Sequence, residues 1–192
     1  LDDLRAFPES ARRQAGFQLD RVQQGREPTD WKPIATVGAG VKEIRIRDAS
    51  GAFRVLYVAK LADAVFVLHC FQKKTQKTSQ RDLDLAGKRY RELMQEIGTM
   101  SDRFNSVWDA IENTPEEAEN MRLRSRLMMA LEDHITRAGM TQADAARILG
   151  VTQPRVSDLM RGKIDRFGLD TLVNMAVAAG LHVHLTVDGD AA

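Results

Sequence analysis

The stretch from Thr141 to Lys163 restricts the fold of this chain more than any other segment. Ala145 and Ala146 are small enough for a second element to pack closely on the first, and Gly150 stands where the chain must turn through a left-handed conformation. Thr152 is placed to cap a following helix, with Pro154 in its first turn, where a missing N–H costs nothing. Ile148, Val151, Val156 and Leu159 are spaced to fill the core between the two segments. The pattern predicts a helix over 141–149, a turn at Gly150 and a second helix over 153–160. An ordinary helical hairpin shares the small residues and the glycine, but it does not require the cap and outward polar groups to coincide with them.

Those outward groups are Gln153, Arg155 and Asp158, near the start of the second helix. Glutamine pairs with adenine and arginine with guanine across a DNA major groove, which makes Gln153 and Arg155 the expected base readers. Gln142, opening the preceding helix, is placed to hold a phosphate. Arg161 and Lys163 are further expected backbone contacts, and Thr152 and Ser157 complete the DNA-facing set.

A chain of 192 residues can form one large domain or two small ones, and its charge is unevenly distributed. Residues 1–99 carry 18 Lys and Arg against 13 Asp and Glu, whereas residues 100–192 carry 10 against 14. Oppositely charged halves attract each other. Because the second half is acidic, any DNA affinity there must come from a local basic face. No apolar run approaches the roughly 18 residues of a membrane span, and no basic-then-apolar leader opens the chain. The single Cys70 supports no internal disulfide framework. A cytoplasmic protein with no membrane partner, metal or cofactor is expected.

The first half changes period along its length. Ala11, Ala15, Leu19 and Val22 share one face of a helix running from about Pro8 to Gly25. From Val41 the period becomes two: Val41, Ile44 and Ile46, then Phe53, Val55, Tyr57 and Ala59, then Val65, Val67, His69 and Phe71. Short connections at 48–51 and 61–64 predict a three-stranded antiparallel meander, closed by an amphipathic helix over 81–94. Gly98–Asp102 then looks like the start of a separate reading frame at Met100, and a flexible linker inside one protein is the alternative. Leu1 is not an initiator, so a preceding piece is expected to be missing.

The second half reads as helix almost throughout. Phe104–Ile111 is a short amphipathic segment, and Thr114 with Pro115 opens a long helix with Leu123, Leu127, Leu131 and Ile135 in a stripe. A further helix spans 168–179. Leu181–Val187 alternates as a β-strand that needs a partner, and pairing with its twin across a dimer axis would supply one.

Basic residues crowd the three strands of the first half. Arg45 and Arg47 lie two apart on one side of the sheet, Arg54 follows the hairpin, and Lys73 and Lys74 extend the last strand toward Lys77. With Lys60, they form a patch that attracts a polyanion, and Tyr57 and Phe71 could stack on bases. A solvated basic face is the plainer reading. His69 is either a base or an inward, hydrogen-bonded histidine, and Cys70 reads as core. His182 and His184 alternate on the predicted C-terminal strand, and no metal site is expected there.

Two resemblances bear on these choices. Trp31-Lys-Pro, Val41–Arg47, Phe53–Tyr57 and Phe71–Thr78 resemble the phage-derived Gp49-like branch of RelE/HigB toxins, over residues 4–94. Gln153–Lys163 and Phe167–Leu172 resemble the lambda-repressor-like (XRE) family and, within it, HigA-type antitoxins, over residues 104–187. The first resemblance implies metal-independent cleavage of messenger RNA on the ribosome, with attack by the RNA's own 2′-hydroxyl. One group must then take the 2′ proton while cations stabilise the developing charge. Arg45 and Arg47 match two catalytic lysines of that pattern, and Arg54 matches its strand arginine. Arginine is a poor general base, which leaves Lys73, Lys74 or Lys77 for that role. Toxins of this fold begin with a strand before the first helix; Leu1 follows that point, so an edge partner of the sheet is expected to be absent. The second resemblance implies a symmetric dimer on a palindromic operator.

The sequence therefore predicts an α+β chain. Residues 1–97 form a RelE/HigB-like toxin domain, 98–103 a junction, and 104–192 a helical HigA-like domain ending in a β-strand. The expected function is a toxin–antitoxin pair on one chain, with the first half a latent endoribonuclease capped by the second, which represses its own promoter. A transcriptional regulator with a catalytically dead first half is the competing reading.

Overall fold

The computed structural model describes residues 1–61, 64–75, 77–96 and 104–187, with the backbone alone for Lys60, Leu61 and Glu96. The junction around Met100 and the second hairpin tip lie outside these residues. A four-residue helix α1 (Asp2–Arg5) leads into α2 (Glu9–Gln23). Strands β1 (Trp31–Pro33), β2 (Val41–Asp48), β3 (Gly51–Leu61) and β4 (Ala64–Gln72) follow, then α3 (Gln80–Glu96). The strands form one antiparallel sheet in the order β1-β2-β3-β4. The meander is thus as predicted, with one strand more: Trp31–Pro33 pairs with Ile44–Lys42 across β2. Three residues containing a proline give no period to read.

Strand alternation divides the sheet into two faces. Ile44, Ile46, Phe53, Val55, Tyr57 and Cys70 pack toward α2, with Phe7 against Phe53 at 4.8 Å between ring centroids. The opposite face is covered over part of its length by α3, where Val41, Leu56, Val58, Leu68 and Phe71 meet Ala86 and Leu93. The rest of that face, toward the β2–β3 turn, carries the arginines.

The second half is helical: α4 (Val107–Ile111), α5 (Pro115–Arg137), α6 (Gln142–Leu149), α7 (Gln153–Met160), a 3-10 turn (Ile164–Arg166) and α8 (Leu169–Ala178). Thr114 caps α5 through the Glu117 N–H, with proline at the first position. The buried face of α5 runs through Ala118, Met121, Ser125, Met128, Leu131, Glu132 and Ile135. Leu123 and Leu127 therefore sit at its margin, because the methionines and a serine, weak signals in sequence, take the central positions. Residues 181–187 have no regular secondary structure, contrary to the predicted strand, and Val183, Leu185 and Val187 are exposed. Among the described residues the segment has no neighbouring strand to bond.

The two halves share a single apolar core, which runs from the α2 face of the sheet through α4 and into the helical bundle. Gly16 makes this possible: a Cβ there would come within 2.5 Å of Ile111 and 2.8 Å of the Trp108 ring. Trp108 is fully buried and donates its indole N–H to Asp20 at 3.1 Å, and the Ser125 hydroxyl donates to the same carboxylate at 2.5 Å. Around this centre Arg13 holds Glu112 through two hydrogen bonds of 3.0 and 3.1 Å, and Arg26 holds Asp133 through two of 2.7 Å. Arg21 pairs with Glu132, and Arg13 also reaches Asp165 at 3.6 Å. Among the described residues, every ion pair across this seam has its arginine on the first half. The charge asymmetry of the sequence is expressed along α2 and its following turn, not on the sheet.

Candidate nucleic-acid interfaces

Register assembles the first candidate site. Arg45 lies opposite Arg54, and Arg54 opposite Phe71. One row outward Arg47 lies opposite Ala52, whose carbonyl accepts the Lys73 backbone N–H at 2.7 Å. One row inward stand Glu43, Leu56 and His69. Four of the expected cations, Arg45, Arg47, Arg54 and Lys73, thus share one sheet face, with Lys74 and Lys77 on the exposed segment that leaves it. The helical half docks on α2, which lies against the other face, and leaves these cations uncovered.

The cations are not equivalent. Arg47, Lys74 and Lys77 are exposed. Arg45 is half-exposed and paired with Asp30 at 2.7 Å. Arg54 is buried, with its Nε 3.4 Å from Glu43 and one terminal N–H donated to the Phe53 carbonyl at 2.8 Å. Burial pulls the Arg54 guanidinium below its ordinary range; Glu43 opposes that shift, and Arg45 and Arg47 add to it. Glu43 is the buried counter-charge of the patch: Lys32 stands 3.6 Å away and the Thr78 hydroxyl 3.5 Å. In sequence it reads only as an alternating polar residue of a strand.

The stacking role expected of aromatic residues is corrected on this face. Tyr57 points to the opposite side, 1% exposed in the shared core, and burial raises its phenol pKa. The periodicity that groups it with Phe53 and Val55 also separates it from Arg54. Phe71 is on the cationic face but buried, its ring stacked on His69 at 5.3 Å. The side chain of Lys60 lies outside the described residues. His69 is the inward, hydrogen-bonded histidine of the two readings: Nδ1 faces Asp3 at 2.8 Å and Nε2 faces Asp82 at 3.0 Å, which ties β4 to α1 and α3. Cys70 is buried in the core, and burial raises its thiol pKa.

The second candidate site is the α6–α7 pair. Thr141 caps α6 through the Asp144 N–H at 3.1 Å. Gly150 ends it at φ +66°, a conformation that glycine adopts without strain, and Thr152 stands extended at the N-cap of α7. Ala145, Val156 and Leu159 are fully buried between the helices, as predicted, whereas Ile148 is 38% exposed and Leu149 takes its place in the core. Gln142, Thr152, Gln153 and Arg161 are exposed, Arg155, Ser157 and Lys163 partly so. Asp158, predicted to point outward, is buried; it accepts from Arg166 at 2.7 Å and pairs with Lys163 at 3.3 Å. Lys163, expected on a phosphate, is thus held by a carboxylate of the recognition helix.

Among the described residues, no three His, Cys, Asp or Glu side chains are grouped to hold a metal ion, and no helix is long and apolar enough to cross a membrane. No curated protein matches the chain in sequence. Two family profiles do: residues 2–91 match Phage derived protein Gp49-like, and residues 111–188 match a helix-turn-helix domain. The sheet with its cationic face falls within the first match and the α6–α7 pair within the second. The chain therefore joins a Gp49-like domain, of the RelE/HigB toxin type, to a DNA-binding helix-turn-helix domain.

Proposed function

We propose that this chain is a type II toxin–antitoxin pair carried on one polypeptide, with domains at 1–97 and 104–192 joined through 98–103. The observation that carries this reading is the union of a Gp49-like domain with a helix-turn-helix domain through a seam whose ion-pairing arginines, among the described residues, all lie on the first half. The first half is a latent, metal-independent endoribonuclease acting on messenger RNA at the ribosome. Arg45, Arg47 and Arg54 stabilise charge on the attacked phosphate, and Lys73, Lys74 or Lys77 takes the 2′ proton. The HigA-like second half restrains this activity from the α2 side, without covering the cations. It reads operator DNA through Gln153 and Arg155 as a homodimer and represses its own promoter. Pairing of Leu181–Val187 with its twin gives that exposed segment a strand partner.

A second reading is favoured by one observation. Arg54 is buried against Glu43 and Arg45 is held by Asp30, so two of the three strand arginines are already engaged. A regulator with a catalytically silent first half would look the same. Inducible expression of residues 1–97 in growing cells separates the two. The toxin reading expects growth arrest with cleaved messenger RNA, relief on co-expression of residues 104–192, and loss of arrest in Lys73→Ala. A folded first half that leaves growth and messenger RNA unchanged would establish the regulator.

A further inference from the structure

We infer that Phe167 is a positioning residue for DNA reading, a fixed aromatic platform that orients Arg155 toward a guanine edge. The Arg155 guanidinium lies over the Phe167 ring, 4.7 Å from its centroid. Phe167 is itself immobilised, with no exposed surface and its backbone N–H bonded to the Ile164 carbonyl at 3.1 Å. Arg155 belongs to the first turn of α7, and its backbone N–H bonds to the Thr152 carbonyl at 2.9 Å. Both ends of the side chain are therefore held: the backbone in the first turn of the recognition helix, the guanidinium by a ring from beyond the 3-10 turn.

This matters because a guanidinium recognises guanine edge-on. Its in-plane N–H groups meet O6 and N7, while its flat faces carry no donors. In the arrangement inferred here the ring meets a flat face and leaves the edge available, and the contact removes rotamers that a free arginine would lose on binding. The neighbouring clasp supports the same arrangement: Asp158 holds Arg166, the residue before Phe167, at 2.7 Å. An ammonium at this position would have no plane to set, so the device is specific to arginine.

The inference rests on the DNA-reading role proposed for Arg155, and the experiment distinguishes failure of one from failure of the other. The full chain is used to select from a pool of random-sequence DNA duplexes, followed by sequencing of the bound fraction. The wild type is expected to enrich a motif with one guanine per half-site that disappears in Arg155→Ala. In Phe167→Leu the preference at that guanine falls roughly tenfold, the scale of a stacked cation contact, while the other positions keep theirs. Phe167→Tyr restores it, and Arg155→Lys loses it as Phe167→Leu does. An unchanged guanine preference in a folded Phe167→Leu, or in Arg155→Lys, overturns the platform. Should Phe167→Leu fail to fold, the Arg155→Lys motif decides. A wild type that enriches no motif, or one indifferent to Arg155→Ala, removes the DNA-reading role and the platform with it.

Discussion

Glu132 enters the seam between the halves with one carboxylate oxygen on Arg21 and the other buried without a hydrogen-bond partner among the described residues. Burial pushes its carboxyl up to about 7, against the pull of Arg21 and Arg26. A carboxyl raised in this way holds its proton more tightly folded than unfolded. Its contribution to stability is complete below its ordinary value of 4.5 and is lost as pH climbs through about 7. The wild type is expected to lose on the order of 2 kcal/mol from this group between pH 5 and pH 8. Glu132→Gln flattens that part of the profile, as measured by urea unfolding at the two pH values; an equal decline in both proteins would assign the slope elsewhere. Trp108 answers a different question at the same scale. Trp108→Phe keeps the ring in the core but removes the indole donor from buried Asp20, and is expected to cost about 1–2 kcal/mol in urea unfolding. A change smaller than a few tenths would show that the Ser125 hydroxyl alone satisfies the carboxylate.

Gly16 lets α4 approach α2 so closely that Gly16→Ala is expected to destabilise the chain by about 1–3 kcal/mol through overpacking, measured by thermal unfolding. On α7, Asp158 holds Lys163 and Arg166 away from the role of free cations. Asp158→Asn releases both, and the salt dependence of binding to a mixed-sequence duplex should steepen by about one to two in log–log slope. An unchanged slope would mean that neither cation reaches a phosphate. The helix-turn-helix was legible because its cap position, glycine and apolar spacing all act within a few residues: the turn formed at Gly150 and Thr152 took the N-cap position, though without a side-chain cap bond. Strand alternation likewise placed Arg45 and Arg47 on one face. What alternation could not show was which face α2 covers, which makes Tyr57 core, or that Arg54 on the other face is buried beside Glu43. Glu43 and Asp158 were illegible for a related reason: a buried carboxylate is recognised by the cations that meet it, and those come from Lys32, Arg54, Lys163 and Arg166 only after folding.

At the scale of the molecule, two domains that match separate families are built around one core. The chain is therefore expected to unfold in a single transition. In Trp108→Phe the remaining Trp31 reports on the sheet alone, while far-ultraviolet circular dichroism is dominated by the helices of both halves. Coincident midpoints from the two signals are expected, and separated midpoints would show that the halves are stable apart. The charge counts of the sequence predicted attraction between the halves but not its place, since a count carries no address. The arginines of α2 and its following turn take up the carboxylates at the end of α4, of α5 and of the turn after α7, and the sheet cations other than buried Arg54 are left facing outward.

The sheet thus works as a partition, with its obligations to the rest of the chain on one side and its chemistry on the other. Substitutions among Arg47, Lys73, Lys74 and Lys77 meet no packing constraint from the helical half, whereas residues such as Gly16, Phe17 and Trp108 are fixed by both halves at once. Over generations the two sides can change at different rates. A lineage could lose every charge on the outer face and keep the lock intact, so that an inert descendant would still be recognisable by the tightness of its seam.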